Sequence, residues 1–388
     1  MSVYQTRRTF ARKDLLPTVV PNEKPKVEPL FFGLTRKQLS LIILVVQNST
    51  LVLMMRYSRI VQKVGQPMYI ASTAVFLAEI LKIVACLVVM RHQQPSWQHF
   101  VDFVRTEILG RPGETLKMLI PSGLYALQNN LLYVALSNLE AATFQVTYQM
   151  KILSTAIFSV VLLGRSLQRD KWIALVLLMI GVTLVQSQSM ASSPTSSSSS
   201  SSTPVSGTMD ETENLLADAL IEDDLVGTSI SAQSPFIGLM AVITSCISSG
   251  FAGCYFEKIL KTSDTSMWVR NIQLGISGAF FSLVGMLMYD MQPIREGGML
   301  QGYDGLTWVV VANQALGGLL VAIVVKYADN ILKGFATSLS IIVSGVISFY
   351  LFNFQPTLTF VVGAFIVMVS SYLYGVDFVK KFVPVKPH

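Results

Sequence analysis

The stretch 124-LYALQNNLLYVALSNLEAATFQVTYQMKILSTAIFSVVLLG-164 reads as two apolar segments of membrane length joined by a short turn at 137-SNLE-140. Apolar runs of this length point to helices that span a bilayer. Both segments nevertheless carry polar side chains: Gln128, Asn129 and Asn130 in the first, then Gln145, Tyr148, Gln149 and Lys151 in the second. An ammonium at bilayer depth costs about 2.5–3.5 kcal/mol on insertion scales. Lys151 is therefore expected to face protein, water or an anionic ligand, and these two segments are expected to line a cavity.

Composition extends this reading to the whole chain. Of 388 residues, 52% are hydrophobic and 13% charged, with a mean hydropathy of +0.54. Soluble domains carry about 25% charge, so the class is an all-α polytopic membrane protein. Cys86, Cys246 and Cys254 all lie inside apolar runs, which excludes a disulfide framework. The excess of 29 Lys+Arg over 23 Asp+Glu is read as a topology signal rather than as a nucleic-acid footprint.

Counting membrane-length segments gives ten, near 38–56, 68–90, 115–135, 140–164, 170–188, 234–257, 270–289, 306–326, 332–352 and 356–376. The third and fourth are the weakest in hydropathy because of their amides. Residues 1–37 form a basic arm with no continuous apolar core, so the first span serves as an uncleaved anchor. Residues 38–187 form a first five-helix unit and 234–376 a second, followed by a tail at 377–388. Between the units, 188–233 is Ser-rich and then acidic, the composition of a disordered tether, and its Ser/Thr/Pro tract could carry O-glycans. Lys and Arg crowd one set of loop ends, including Arg36, Lys37, Arg91, Arg105, Arg165, Lys171, Lys261 and Lys380, which places both termini in the cytosol. Five spans per half means that homologous halves would insert with opposite orientation, with a substrate site at their interface.

The second half offers Ser249, Gly250, Gly253, Tyr255, Asn271 and Lys333 as pocket candidates, with helix packing as the competing role of the small residues. Lys326 and Asp329 read as a structural pair, and so do Glu79 and Lys82 in the second span. Lys333 is the better ligand candidate. Two lysines from opposite halves in an amide-rich setting suit a dianion such as a pyrophosphate, and Asn and Gln can read a base edge or sugar hydroxyls. Nothing suggests an enzyme, a metal site or a cofactor: His92, His99 and His388 are peripheral or in loops, and no nucleophile sits beside a base. The sequon Asn48-Ser49-Thr50 falls inside the first span and should be unmodified.

The segments YALQNNLLYVALSNLEAATFQVTYQMKI, SSGFAGCYFEKILK, WVRNIQLG and KYADNILKGFATSLSII closely resemble the Golgi nucleotide-sugar transporters of the CMP-sialic acid/UDP-galactose/UDP-N-acetylglucosamine branch, within the drug/metabolite transporter superfamily. The resemblance implies ten helices in two inverted five-helix repeats. It also implies exchange of a cytosolic nucleotide sugar for lumenal nucleoside monophosphate across the Golgi membrane. By the same resemblance, Tyr125, Gln128 and Asn129 match nucleotide-contacting positions, and Lys151 and Lys333 match phosphate lysines. Tyr148 belongs to the same motif as Lys151, and Ser249, Gly250 and Asn271 match positions near the nucleotide and sugar. Phe144 stands where relatives often have Tyr, which disfavours the CMP-sialic acid reading. The expected cargo is UDP-N-acetylglucosamine against UMP, with UDP-galactose or dual use as the alternative. Expected partners are the bilayer, a second copy, related transporters or glycosyltransferases, but no nucleic acid. A non-transporting scaffold for glycosyltransferases is the competing reading from another class. An exporter of cationic drugs would need a cavity-facing acid instead of lysines.

Overall fold

The computed structural model describes residues 35–60, 69–191, 234–263, 265–352 and 355–375. The basic arm before residue 35, nearly all of the 188–233 tether and the tail lie outside the described residues, so those expectations are not met by any structural fact. Every described element is helical: α1 Arg36–Ile60, α2 Ala71–Gln93, α3 Trp97–Val104, a π-helical turn Arg105–Leu109, α4 Pro112–Asn138, α5 Ala141–Tyr148, α6 Met150–Leu163, α7 Arg169–Ala191, α8 Pro235–Thr262, α9 Met267–Tyr289, α10 Met291–Gly297, α11 Gly305–Tyr327, α12 Asn330–Phe352 and α13 Leu358–Gly375.

Local chemistry sets several of these boundaries. Pro112 and Pro235 open α4 and α8, where a missing N–H costs nothing. The Asp304 carboxylate caps α11 by accepting from the Thr307 hydroxyl at 2.6 Å and the Thr307 N–H at 2.7 Å. Those two bonds, the hydroxyl first, hold the Asp304 carboxyl below its usual range. Gly164 closes α6 with φ of 65°, a left-handed conformation that suits glycine.

Among the described residues, nine segments are long and apolar enough to cross a membrane, with α5 and α6 counted as one. The third expected span is the helix α4, 27 residues long, which is missing from those nine. Its length suffices; the amides at 128–130 lower its hydropathy. Two elements were not anticipated. Residues 97–104, expected as loop around His99, form α3, which lays Phe100, Phe103 and Val104 on Cys86, Met90, Val269 and Ile272. The fourth expected span is interrupted at Gln149, a break that no Gly or Pro announces.

The helices pair as α7 with α13, α2 with α9, α4 with α8, α1 with α11, α6 with α8, α1 with α12, α4 with α9 and α2 with α11. The end of the bundle at which α1 begins is termed the near end. There one apolar cluster joins six helices through Leu44, Tyr125, Phe256, Leu274, Val325 and Ala336. At the far end the core divides into separate clusters around Phe144 and Val242, Ala74 and Val311, and Val185 and Phe360. Ser72 donates to the buried Asp290 there, and the Thr73 and Tyr303 hydroxyls meet at 2.8 Å.

The closest helix approach is α7 on α13. A Cβ on Gly363 would lie 2.8 Å from both the Gly181 carbonyl oxygen and the Val185 nitrogen. Backbone atoms cannot swing aside, so Gly363→Ala is expected to destabilise the chain by about 1–3 kcal/mol. Gly375→Ala, with nothing within 4 Å of the added methyl, is the control, and thermal unfolding in detergent reads both.

Candidate functional site

The interruption at Gln149 makes Lys151 the second residue of α6. Lys333 is the fourth residue of α12. Lys333 thus sits in the first turn of its helix, where the partial positive charge of the helix end adds to its own, whereas the backbone at Gln149 stays right-handed helical (φ −62°, ψ −15°), so Lys151 lies within one continuous span. Both also line one cavity of about 670 Å³, together with Tyr148, Gln149, Thr155, Asn330, Thr337 and Ser338, and with Leu178 and Val182 as an apolar wall. No carboxylate is among the lining residues.

Lys151 is held from behind. The Lys151 ammonium lies 3.4 Å from the Tyr148 hydroxyl and 5.4 Å from the centre of that ring. Tyr148 in turn stacks on Phe144, ring centres 5.5 Å apart and planes 11° off parallel. Gln149 is fixed by donating to the Gln186 side-chain oxygen at 2.8 Å. On both cavity helices a threonine one turn on donates to the lysine carbonyl, Thr155 to Lys151 at 2.9 Å and Thr337 to Lys333 at 3.2 Å. Each hydroxyl proton is then committed, and the oxygen is left as an acceptor.

Glycines on α8 allow these helices to converge. A Cβ on Gly250 would lie 2.8 and 2.9 Å from the Ser154 and Thr155 backbone, and one on Gly253 would strike the Asn330 amide. Ser154 donates to the Cys246 carbonyl at 2.8 Å across the same contact. Gly250 and Gly253 therefore seat α6 and α12 rather than line the cavity.

Other expected site residues fall nearby but not on the cavity wall. Gln128 on α4 is fully buried, its amide beside the Tyr148 hydroxyl, and on the facing α8 the buried hydroxyls of Ser245 and Ser249 have no partner. On α9, the Asn271 side-chain oxygen has no partner either. Buried polar atoms normally find partners, which sets these atoms apart from the bonded side chains around them. Asn129 is buried one position along. Tyr125 joins the near-end apolar cluster. Phe144 is fully buried behind Tyr148. Tyr255 stacks on Phe251 with ring centres 5.8 Å apart, on a face of α8 away from the cavity. Sequence reasoning missed Thr155, Thr337, Ser338 and Asn330; an i, i+4 spacing from the lysines would have flagged both threonines.

Charges seal the near end. Glu257 on α8 is fully buried and accepts from Arg165 at 2.5 Å, Lys261 at 2.6 Å and the Asn330 N–H at 3.1 Å. Arg165 also reaches Asp329 at 3.2 Å, so Asp329 pairs across the halves rather than with Lys326. Arg270, itself buried, binds Glu114 at 2.5 Å. The expected Glu79–Lys82 pair is present at 2.5 Å and lies against Gly278 and Gly318.

The nucleotide-sugar transporter family profile matches residues 33–375. The chain belongs to that family. The mouse UDP-N-acetylglucosamine transporter is 52% identical over 343 residues, covering 88% of this chain and 95% of its own length. A Caenorhabditis elegans UDP-N-acetylglucosamine/UDP-N-acetylgalactosamine transporter is 45% identical over 357 residues, covering 91% and 96%. The mouse UDP-galactose translocator is 46% identical over 340 residues, covering 87% and 78%. One solved crystal structure superposes with a TM-score of 0.56 at 11% identity, covering 87% of this chain and 96% of that one, which speaks for the fold alone. As a nucleotide-sugar transporter, the chain works in a membrane on a substrate that carries phosphate.

Removing one partner of a buried ion pair strands the other and costs about 3–5 kcal/mol. Glu257→Ala in this transporter is therefore expected to lower thermal stability steeply. Arg165→Ala, at a side chain 28% exposed, should cost clearly less in the same melt.

Proposed function

We propose that this transporter carries UDP-N-acetylglucosamine into the Golgi lumen in exchange for UMP. The observation that carries the reading is the pair of lysines, one from each half, facing one cavity whose lining holds no carboxylate. A diphosphate between them would meet two ammonium groups and the start of α12. The preference for N-acetylglucosamine is supported by the identity of 52% to a protein named for that cargo, against 46% to one named for UDP-galactose. UDP-galactose is the second reading.

Alternating access is supported by the packing. If α4 is the tenth span, each first-half helix has a counterpart in the second half. Exchanging counterparts turns α4–α8 into α11–α1, α6–α8 into α12–α1 and α4–α9 into α11–α2, while α2–α9 and α7–α13 map onto themselves; all of these pairs occur. A bundle with this symmetry can rock about a site at its centre. The near end, cytosolic by the Lys/Arg distribution, is the end with the continuous apolar seal and the Glu257 network.

In proteoliposomes, preloading with UMP should speed uptake of labelled UDP-N-acetylglucosamine; no stimulation would count against exchange. Lys151→Ala and Lys333→Ala should each abolish UMP binding, and Lys151→Arg should restore it only in part because the planar fork needs more room. If the chain is a scaffold instead, deleting 192–233 should matter more than either lysine. In a thermal-shift panel, UMP at 100 times its Kd should raise stability by about 2.7 kcal/mol, and CMP or GMP should do less.

A further inference from the structure

The α4–α8 interface holds unpartnered buried hydroxyls at Ser245 and Ser249. Its counterpart under exchange of the halves, α11 with α1, holds a second group of unpartnered polar atoms that no site described above uses. On α1, Gln47 and Asn48 are 5% and 4% exposed and share a buried face with Leu44 and Leu51. The Gln47 amide nitrogen donates to the Asn313 carbonyl on α11 at 3.1 Å. That bond fixes Gln47 and leaves its side-chain oxygen without a partner, along with the amide nitrogens of Asn48 and Asn313. One acceptor and two donors thus stand unfilled inside the bundle.

The residue after Asn48 ties the group to α12, the helix that carries Lys333. Ser49 donates to the Ser340 carbonyl on α12 at 3.1 Å. Ser340 is seven residues beyond Lys333, about 10 Å along the helix axis, on the stripe 333–337–340 that begins at the cavity. We infer that Gln47, Asn48 and Asn313 form the subsite for the sugar of the nucleotide sugar. The inference rests on the proposed carrier function. A nucleotide sugar has a charged middle and a neutral polar sugar end, and the interior offers lysines and this uncharged amide group. Amides without charge suit a hexose, whose hydroxyls and acetamido group both donate and accept. They are poorly suited to phosphate, which the lysines take.

The test uses the full chain in detergent, with UMP and UDP-N-acetylglucosamine titrated calorimetrically. Asn48→Leu and Asn313→Leu should weaken UDP-N-acetylglucosamine at least tenfold while UMP stays within twofold. Asn48→Ser and Asn313→Ser, which keep a small polar group, cover the case in which the leucine variants do not fold, and should show the same split to a smaller degree. Equal losses for both ligands mean that these amides only hold helices together, and no loss for either means that the sugar lies elsewhere; both results overturn the assignment. A wild-type chain that binds no UMP overturns the carrier function itself, a distinct outcome.

Discussion

Charge cannot stand unanswered in a hydrocarbon slab, and this bundle is arranged around that requirement. It meets it in two ways. Glu79 and Lys82 neutralise one another within α2. Glu257 and Arg270 are engaged across the halves, by Arg165 and by Glu114. Lys151 and Lys333 instead face a shared hollow, where a ligand can supply negative charge. The contrast separates structure from function more cleanly than burial does. A paired ion fixes helices in place.

Helix association in lipid gains little from burying apolar surface, because the tails are as apolar as the side chains. Close approach must come from small residues instead. Gly250 and Gly253 let α8 take α6 and α12 against its backbone, which is how lysines 182 residues apart in the chain come to one cavity. Gly181 and Gly363 do the same for α7 and α13. The glycines of α8 therefore act on the ligand through the helices they admit.

Much of this was legible in the sequence. The polytopic membrane class, the intramembrane lysines and the Glu79–Lys82 pair follow from hydropathy and spacing, which are local properties. Phe144 was legible as a position but not as a role: its ring stacks on Tyr148, and Tyr148 carries Lys151. The break at Gln149 was invisible because it arises without Gly or Pro, where Gln149 bonds sideways to Gln186 on another helix. Asp329 was matched with Lys326 by spacing, yet Arg165 reaches it from across the bundle.

The sequence alone determined that the chain crosses a membrane repeatedly, that it keeps ammonium groups at depth, and which family it resembles, because insertion energy is summed residue by residue along each segment. Tertiary structure decided which small residues pack and which polar residues line the hollow. It also decided which charges are spent on holding helices together. Those outcomes depend on the rotation of each helix about its own axis, which is set by what packs against it.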